Sequence, residues 1–357
     1  MKALALLSGG LDSTLAIRVV QEQGIEVEAI NFTSPFCLCN RGGCHAAAVA
    51  ARQLGVKLHV EKCGQDYLDL VANPKYGYGR QMNPCLDCRI YKLNRAKKKM
   101  EEIGASFLIT GEVLDQRPMS QRREALAICE RDTGLRGLIL RPLSAQHLRP
   151  TIPEERGWVD RAKLLALRGR WRKPQIELAK TFGITDYPCP AGGCLLTYED
   201  FALKVRDLLD HGERLTMWSA SLLRIGRHLR LPGGGKLVVG RNAAENEHLA
   251  KAAREGTILF TSLSSPGPTA LAYGVENEGD VLLCAGVVAR YADPLPGGVP
   301  HEISYRNYGP EKSGVLRALP LPTEKVAEWI IGRTGTEKGR ARSASSGKTE
   351  CRHGRAG

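Results

Sequence analysis

The chain has 357 residues and 51 Lys plus Arg against 38 Asp plus Glu, a formal net charge of +13; that length can bury two cores, and that charge favours a polyanionic partner such as nucleic acid. The opening MKALALL is too short an apolar run for a secretory signal and no 18-residue apolar span follows it, so the expectation is a cytoplasmic protein with no membrane partner. In that compartment the 11 cysteines read as metal ligands or reactive thiols rather than as structural disulfides.

Along residues 1–145 short apolar runs alternate with amphipathic stretches. The pattern predicts strands over 3–7, 27–32, 58–61, 107–110 and 138–140, with helices near 12–23, 44–54, 88–103 and 119–132 between them. Such alternation implies an α/β domain, a doubly wound parallel sheet with right-handed crossovers and a ligand at the carboxyl ends of the strands. Residues 146–205 read as a basic helical connector, 206–331 as a smaller α+β domain, and 332–357 as a basic disordered tail. The positive charge is localised: residues 149–180 carry nine basic and four acidic side chains, and RIYKLNRAKKK (89–99) carries six basic and no acidic ones. Such stretches suit an RNA surface, or a solvated helix face.

Within the first domain, LALLSGGLDSTLA (4–16) is an apolar strand that breaks at Ser8, Gly9 and Gly10 and resumes as a helix at Asp12 or Ser13. A turn of this kind aims helix N–H groups and the positive end of the helix dipole at one point; glycines admit a phosphate closely, and Ser8 and Ser13 can donate to its oxygens. The lysine of a Walker loop is missing, so the anion need not be a transferred γ-phosphate. Asp12 beside a phosphate suits a magnesium ion or an oriented nucleophile. In LITGEVLDQRPMSQ (108–121) a strand ends at Thr110, where Gly111 can admit a nucleotide and Glu112 can orient magnesium or ribose.

NPCLDCR sets Cys85 and Cys88 in a C-x-x-C, the spacing that grips one metal or cluster from a single turn; it equally suits a redox pair or half a zinc site. Cys194 of PAGGC, preceded by Cys189, offers a third thiolate without an obvious fourth, the pattern of a 4Fe–4S cluster with one open iron. Structural zinc and unligated core thiols are the alternatives. A persulfide route would use Cys189 and Cys194 as sulfur carriers, with thiol pKa values lowered by nearby cations. FCLCNRGGCHAAA (36–48) gathers Cys37, Cys39, Cys44 and His45, with Cys63 further on; this is zinc spacing or a glycine-rich loop with incidental thiols, and no catalytic part is assigned to it. Cys129, Cys284 and Cys351 read as ordinary thiols.

The SGGLDS stretch resembles the signature of PP-loop ATP pyrophosphatases. TGEVLDQRPMSQ, followed by ILRPLSA (139–145), resembles the nucleotide-binding domain of tRNA 4-thiouridine synthases, with Asp115 standing where that block has glycine. KLVVGRNAAENEHL (236–249) resembles the start of the RNA-binding domain of NFACT-type ribosome-associated proteins. These resemblances imply a HUP-like fold that binds ATP and Mg2+ through Ser8, Gly9, Gly10, Asp12, Ser13, Gly111 and Glu112. They imply a tRNA substrate whose uridine oxygen attacks the α-phosphate, so that pyrophosphate and then AMP depart. Cys85, Cys88 and Cys194 would hold the 4Fe–4S cluster, making them the catalytic set together with Asp12, and sulfur would come from sulfide or a persulfide carrier protein. The rival readings are a PP-loop ligase that makes an amide through an adenylate, and a non-catalytic ATP- and RNA-binding protein of ribosome quality control.

Overall fold

The computed structural model describes residues 1–38, 45–187, 193–309 and 312–332; Cys39, Cys44, Cys189, Cys351 and the tail beyond residue 332 lie outside the described residues. The chain forms two compact units, one of Met1–Tyr198 with Leu215–Met217, the other of Glu199–Arg214 with the residues from Trp218 onward. Among the described residues no helix is long and apolar enough to cross a membrane.

In the first unit, strands β1 (Lys2–Leu6), β2 (Glu26–Thr33), β3 (Leu58–Lys62), β4 (Phe107–Thr110) and β5 (Ile139–Leu140) pair in parallel in the order β3-β2-β1-β4-β5. All five lie where the apolar runs predict them. β1 reads KALAL and its three central residues are buried, the near-continuous apolar pattern of a parallel strand covered on both faces. The helices of this unit are α1 (Leu11–Gln21), α2 (His45–Leu54), α3 (Gln65–Ala72), α4 (Cys85–Glu102), α5 (Arg123–Thr133), α6 (Ile152–Glu155) and α7 (Lys173–Thr181).

Three elements depart from the predicted pattern. The helix α3 is new, because its stripe of Tyr67, Leu68 and Val71 spans only two turns and does not stand out from its surroundings. The helix α4 begins at Cys85 rather than at 88, so both thiols of the C-x-x-C sit in its first turn. The helix α5 begins at Arg123 rather than near 119, with Arg122 as its extended N-cap.

The sheet changes direction at β1. The chain first builds outward through β2 and β3, then returns to the other side of β1 as β4, which opens a crevice at the carboxyl ends of β1 and β4. Leu6 pairs with Thr110, so the segments that begin at Leu7 and Gly111 leave the sheet side by side. The core beneath holds Ala3, Ala5, Leu15, Ile17, Val20, Phe107 and Ile109, and it also takes in Val159, Leu164, Ala179 and Ile184 from the stretch after residue 145.

The second unit packs α8 (Glu199–Asp210), α9 (Met217–Leu222), α10 (Ala243–Ala252), α11 (Glu278–Tyr291) and α12 (Thr323–Trp329) on an antiparallel sheet. Its strands are β6 (Arg227–Arg230), β7 (Lys236–Val239), β8 (Thr257–Ser262), β9 (Thr269–Tyr273), β10 (His301–Asn307) and β11 (Lys312–Ala318), in the order β11-β10-β8-β9-β7-β6. The apolar face of α11, with Cys284, Ala285, Val287 and Val288, closes a core that includes Leu229, Phe260 and Ile303. Two units of different sheet type are the α/β plus α+β arrangement that the sequence predicts.

Leu15 has no exposed surface and belongs to the core under the crevice. Leu15→Ala is expected to destabilise the protein by about 2–5 kcal/mol through lost burial and the cavity left behind, measured as a fall in the urea midpoint of the unfolding transition.

Candidate active site

Two glycines allow the turn after β1 to form. Gly9 has φ of +79°, and a Cβ there would lie 2.5 Å from backbone atoms of Ala46 and Ala47 at the start of α2. A Cβ on Gly111 would lie 2.5 Å from the backbone N and Cα of Ser13. Neither position has room for a side chain. Within the turn the Ser13 hydroxyl donates to the Gly10 carbonyl at 2.8 Å and lies 3.1 Å from Ser8 Oγ, while the Gly10 N–H donates to Ser8 Oγ at 3.3 Å. Gly10 is the extended N-cap of α1 and no side chain caps that helix. The first-turn N–H groups of α1 therefore lack intrahelical acceptors and point out of the helix end with its dipole. Hydroxyls and amides converge in a cradle at the crevice, an arrangement that suits an anion.

Asp12 borders the cradle. Its Oδ2 accepts from Gln116 Nε2 at 3.1 Å and lies 3.4 Å from Arg172 Nη2, whereas its Oδ1 is buried without a hydrogen-bond partner, as is Arg172 Nε. A buried carboxylate oxygen with an unused lone pair beside an anion cradle suits a cation. Arg172, at the N-cap of α7, is a site residue that the sequence analysis missed; it lies 160 residues from Asp12, and no local spacing signals such a contact. Asp115 has φ of +63°, which explains why a glycine suits that position. Its carboxylate instead holds Arg168 at 2.7 Å.

Glu112 faces inward. Its Oε2 accepts from Arg141 Nε at 3.0 Å and from the Thr110 hydroxyl at 3.0 Å, and its Oε1 lies 3.3 Å from Arg89 Nε. The side chains of Glu112 and Arg141 are 3% and 4% exposed. Burial pushes the Glu112 carboxyl up, but the charges of Arg89 and Arg141 and the hydrogen bonds from Arg141 and Thr110 outweigh it and hold it below the usual carboxylate range. Arg141 also binds Glu130 on α5. Glu112 thus joins β4 to α4 and, through Arg141, to α5.

The described cysteines are all thiols, with no disulfide among them. Cys85 accepts a hydrogen bond from Asn83 Nδ2 at 3.1 Å, and Cys88 accepts one from the Tyr67 hydroxyl at 3.4 Å. Cys194 forms an antiparallel bridge with Cys37, in which Leu195 N–H donates to Phe36 O at 2.8 Å and Leu38 N–H donates to Gly193 O at 3.2 Å. The structure thereby brings Cys37 to the set predicted from Cys85, Cys88 and Cys194, and the charges of Cys88, Cys37 and Cys85 all act on Cys194. Among the described residues no three His, Cys, Asp or Glu side chains stand at metal-sharing distances. In chemistry the donors suit a soft metal or an iron–sulfur centre, since sulfur ligands select those.

Burial pushes the Cys194 thiol up to about 12, the opposite of what a persulfide-carrying thiolate needs. Cys63 is likewise pushed up to about 12 by burial. Lys92 lies one turn after Cys88 on α4, half-buried. The charge of Cys88, with those of Cys37 and Cys63, holds the Lys92 ammonium above its usual range against burial. Lys92 is thus a cation set among sulfurs, placed by the i, i+4 repeat of the helix.

The groove of about 640 Å3 along β3 and α4 lies elsewhere. It contains Glu61, Asp66 and Arg95, whose charges are paired with one another, and no residue of the cradle.

In the second unit Lys236 is fully buried, with its Nζ 2.8 Å from Asp207 Oδ2, and Arg230 binds both Asp207 at 2.7 Å and Glu213 at 2.6 Å. Burial pushes the Lys204 ammonium on α8 down to about 8, helped by the charges of Arg241 and Lys236.

A loop at the switch point of a five-stranded parallel sheet, joined in one chain to a separate antiparallel six-stranded module, is a HUP-like α/β domain followed by a second domain. Residues 1–151 match the tRNA methyl transferase HUP domain and residues 226–330 match the NFACT protein RNA binding domain. It is 35% identical over 117 residues to the tRNA-specific 2-thiouridylase MnmA of Pelobacter propionicus, covering 31% of this chain and 33% of that protein. To the tRNA-specific 2-thiouridylase MnmA 2 of Clostridium botulinum it is 26% identical over 196 residues, covering 52% of this chain and 51% of that protein. The chain spans about a third of the length of the first of these relatives. Among solved structures, a 4-thiouridine synthetase in complex with RNA and ATP is 28% identical with a TM-score of 0.33, covering 40% of this chain and 36% of that one. The U34-tRNA thiolase NcsA from Methanococcus maripaludis, with its 4Fe–4S cluster, is 20% identical with a TM-score of 0.34, covering 62% and 70%.

Glu112→Gln removes the central charge of a buried cluster, leaving Arg89 without its carboxylate and Arg141 with Glu130 alone, at a cost of about 3–5 kcal/mol. Because the folded carboxyl is held below its unfolded value of about 4.3, the stabilisation is fully present above that value and is lost as pH falls through the folded value. Thermal melts from pH 7 down to pH 3 should therefore show a steeper acid loss in the wild type than in Glu112→Gln.

Proposed function

We propose that this chain catalyses ATP-dependent thiolation of a tRNA uridine. The observation that carries this reading is the side chain that links the two halves of the site: Glu112 follows Gly111, which touches Ser13, and holds Arg89, which follows Cys88. One buried carboxylate thus ties the C-x-x-C helix to the crevice with the phosphate cradle.

In this reading Ser8, Gly9, Gly10, Ser13 and the first-turn amides of α1 bind the pyrophosphate portion of ATP, and Gly111 gives the nucleotide room. Asp12, with Oδ1 unused, holds Mg2+, which neutralises charge on the phosphates when bound. The uridine carbonyl oxygen attacks the α-phosphorus, pyrophosphate leaves, and the cradle stabilises the charge that develops on it. Replacement of that oxygen by sulfur releases AMP and gives thiouridine.

Cys85, Cys88 and Cys194 are the residues that would hold a 4Fe–4S cluster, which when bound supplies an open coordination site for sulfide; zinc on the same thiols is the alternative. Lys92 offsets the negative charge of the deprotonated sulfurs, and Cys37 fixes the position of Cys194 across their bridge. The RNA-binding domain and the basic segments grip the phosphates of tRNA, and sulfide or a persulfide carrier protein brings the sulfur. A tRNA-modifying reaction of this kind belongs in the cytoplasm.

Anaerobically prepared protein, given unmodified tRNA, Mg2+, ATP and sulfide, should produce thiouridine in nucleoside mass spectra together with AMP and pyrophosphate. Asp12→Ala and Ser13→Ala are each expected to lower kcat/KM on the order of a hundredfold or more. Alanine at Cys85, Cys88 or Cys194 should abolish thiolation and the brown absorbance while ATP affinity stays within about twofold. Release of ADP and phosphate, or an amidated instead of a thiolated product, would overturn the proposal.

A further inference from the structure

Trp171 is 82% exposed, whereas Trp158, Trp218 and Trp329 are each partly buried. A large apolar ring held in water is costly unless something covers it. It lies in the run Arg168-Gly169-Arg170-Trp171-Arg172-Lys173, which places four cations around one aromatic.

The strap that carries it is anchored at both ends to the margin of the phosphate cradle. At one end Arg168 bridges to Leu114, the Gly169 N–H donates to Leu114 O at 2.7 Å, and Arg168 binds Asp115 at 2.7 Å. At the other end Arg172 reaches Asp12 at 3.4 Å and its carbonyl accepts the Ile176 N–H at 3.0 Å, where α7 begins. The indole is therefore presented on a fixed segment, one residue along the chain from the side chain that touches Asp12.

We propose that Trp171 is a stacking platform for an unpaired base of the RNA strand that enters the nucleotide site, with Arg168, Arg170 and Lys173 attracting the adjoining phosphates. This rests on the RNA-modifying reading above and adds to it the chemistry of one subsite. Every nucleobase offers a π-face, so a ring of this kind holds single-stranded RNA without reading its sequence, and surrounding cations supply the salt-sensitive part of the affinity. An apolar protein partner would find that surface crowded by like charges, whereas a polyanion is matched by them. Placed beside the loop that binds the phosphates of ATP, the stacked base would keep the strand unpaired where a uridine must leave its own stack to react.

The test measures binding of a labelled oligouridylate and of a blunt RNA duplex to the full chain, its Trp171→Ala variant and its Trp171→Tyr variant. Trp171→Ala is expected to weaken oligouridylate binding on the order of tenfold to a hundredfold. Duplex affinity and ATP affinity should be unchanged, and Trp171→Tyr should recover most of the loss. Equal oligouridylate affinity for wild type and Trp171→Ala would overturn the proposal, as would a loss that tyrosine does not rescue. Phosphatidylglycerol vesicles that bind through Trp171 while oligouridylate does not would also overturn it, making the ring a membrane anchor. If the stacking result holds but no thiouridine is formed by the wild type, the subsite stands and the proposed reaction is the part that fails.

Discussion

A carboxylate sealed from water has two stable fates, to be protonated or to be surrounded by cations, and Glu112 takes the second. Arg141, itself almost completely buried, approaches one oxygen, and Arg89 approaches the other. Those arginines come from different parts of the first unit, so satisfying one charge fixes the end of β4 against the first turns of α4 and, through Glu130, against α5. The positions of Cys85 and Cys88 follow from that, since both lie in the turn that precedes Arg89. Such a pair adds little net stability over an apolar pair of the same shape, but it allows one arrangement and penalises others.

Close backbone approach does for the cradle what charge does for the thiols. Gly111 and Gly9 bring the ends of β4 and α2 against the turn at Ser8 and Ser13, leaving serine hydroxyls and helix amides to face the crevice. Asp12 stands at its border with Gln116 and Arg172 on one oxygen only. The thiols stand in the opposite electrostatic setting: burial pushes the Cys194 thiol up, and Lys92 is a cation set among the sulfurs. The two halves of the site therefore each carry charge compensation suited to a different ligand, one anionic, the other a cation or cluster held by sulfur.

Much of this was legible in the chain. The five strands are short apolar runs bounded by polar turns, and the junction at Ser8–Ser13 announces itself by two glycines and two hydroxyls between a strand and a helix. The C-x-x-C shows its spacing directly. Glu112 was legible as a special residue at the end of a strand, but the direction of its side chain was not, because a carboxylate that orients a ligand and one that pairs with buried arginines look alike in sequence. The helix α3 was missed because a two-turn apolar stripe carries too few repeats to stand out.

The sequence by itself determined the positions of the five strands of the first unit, the glycine turn at Ser8–Ser13 and the pair of thiols at Cys85 and Cys88, since each is encoded by periodicity or spacing within a few contiguous residues. Only the tertiary structure decided that Arg141 reaches Glu112 across 29 residues, that Arg172 reaches Asp12 across 160, and that Cys37 pairs with Cys194. It also decided that Trp171 stays in water on a strap pinned beside the cradle. The physical reason is that these contacts depend on which side chains burial brings together, and burial is settled by the packing of the whole unit rather than by any local pattern.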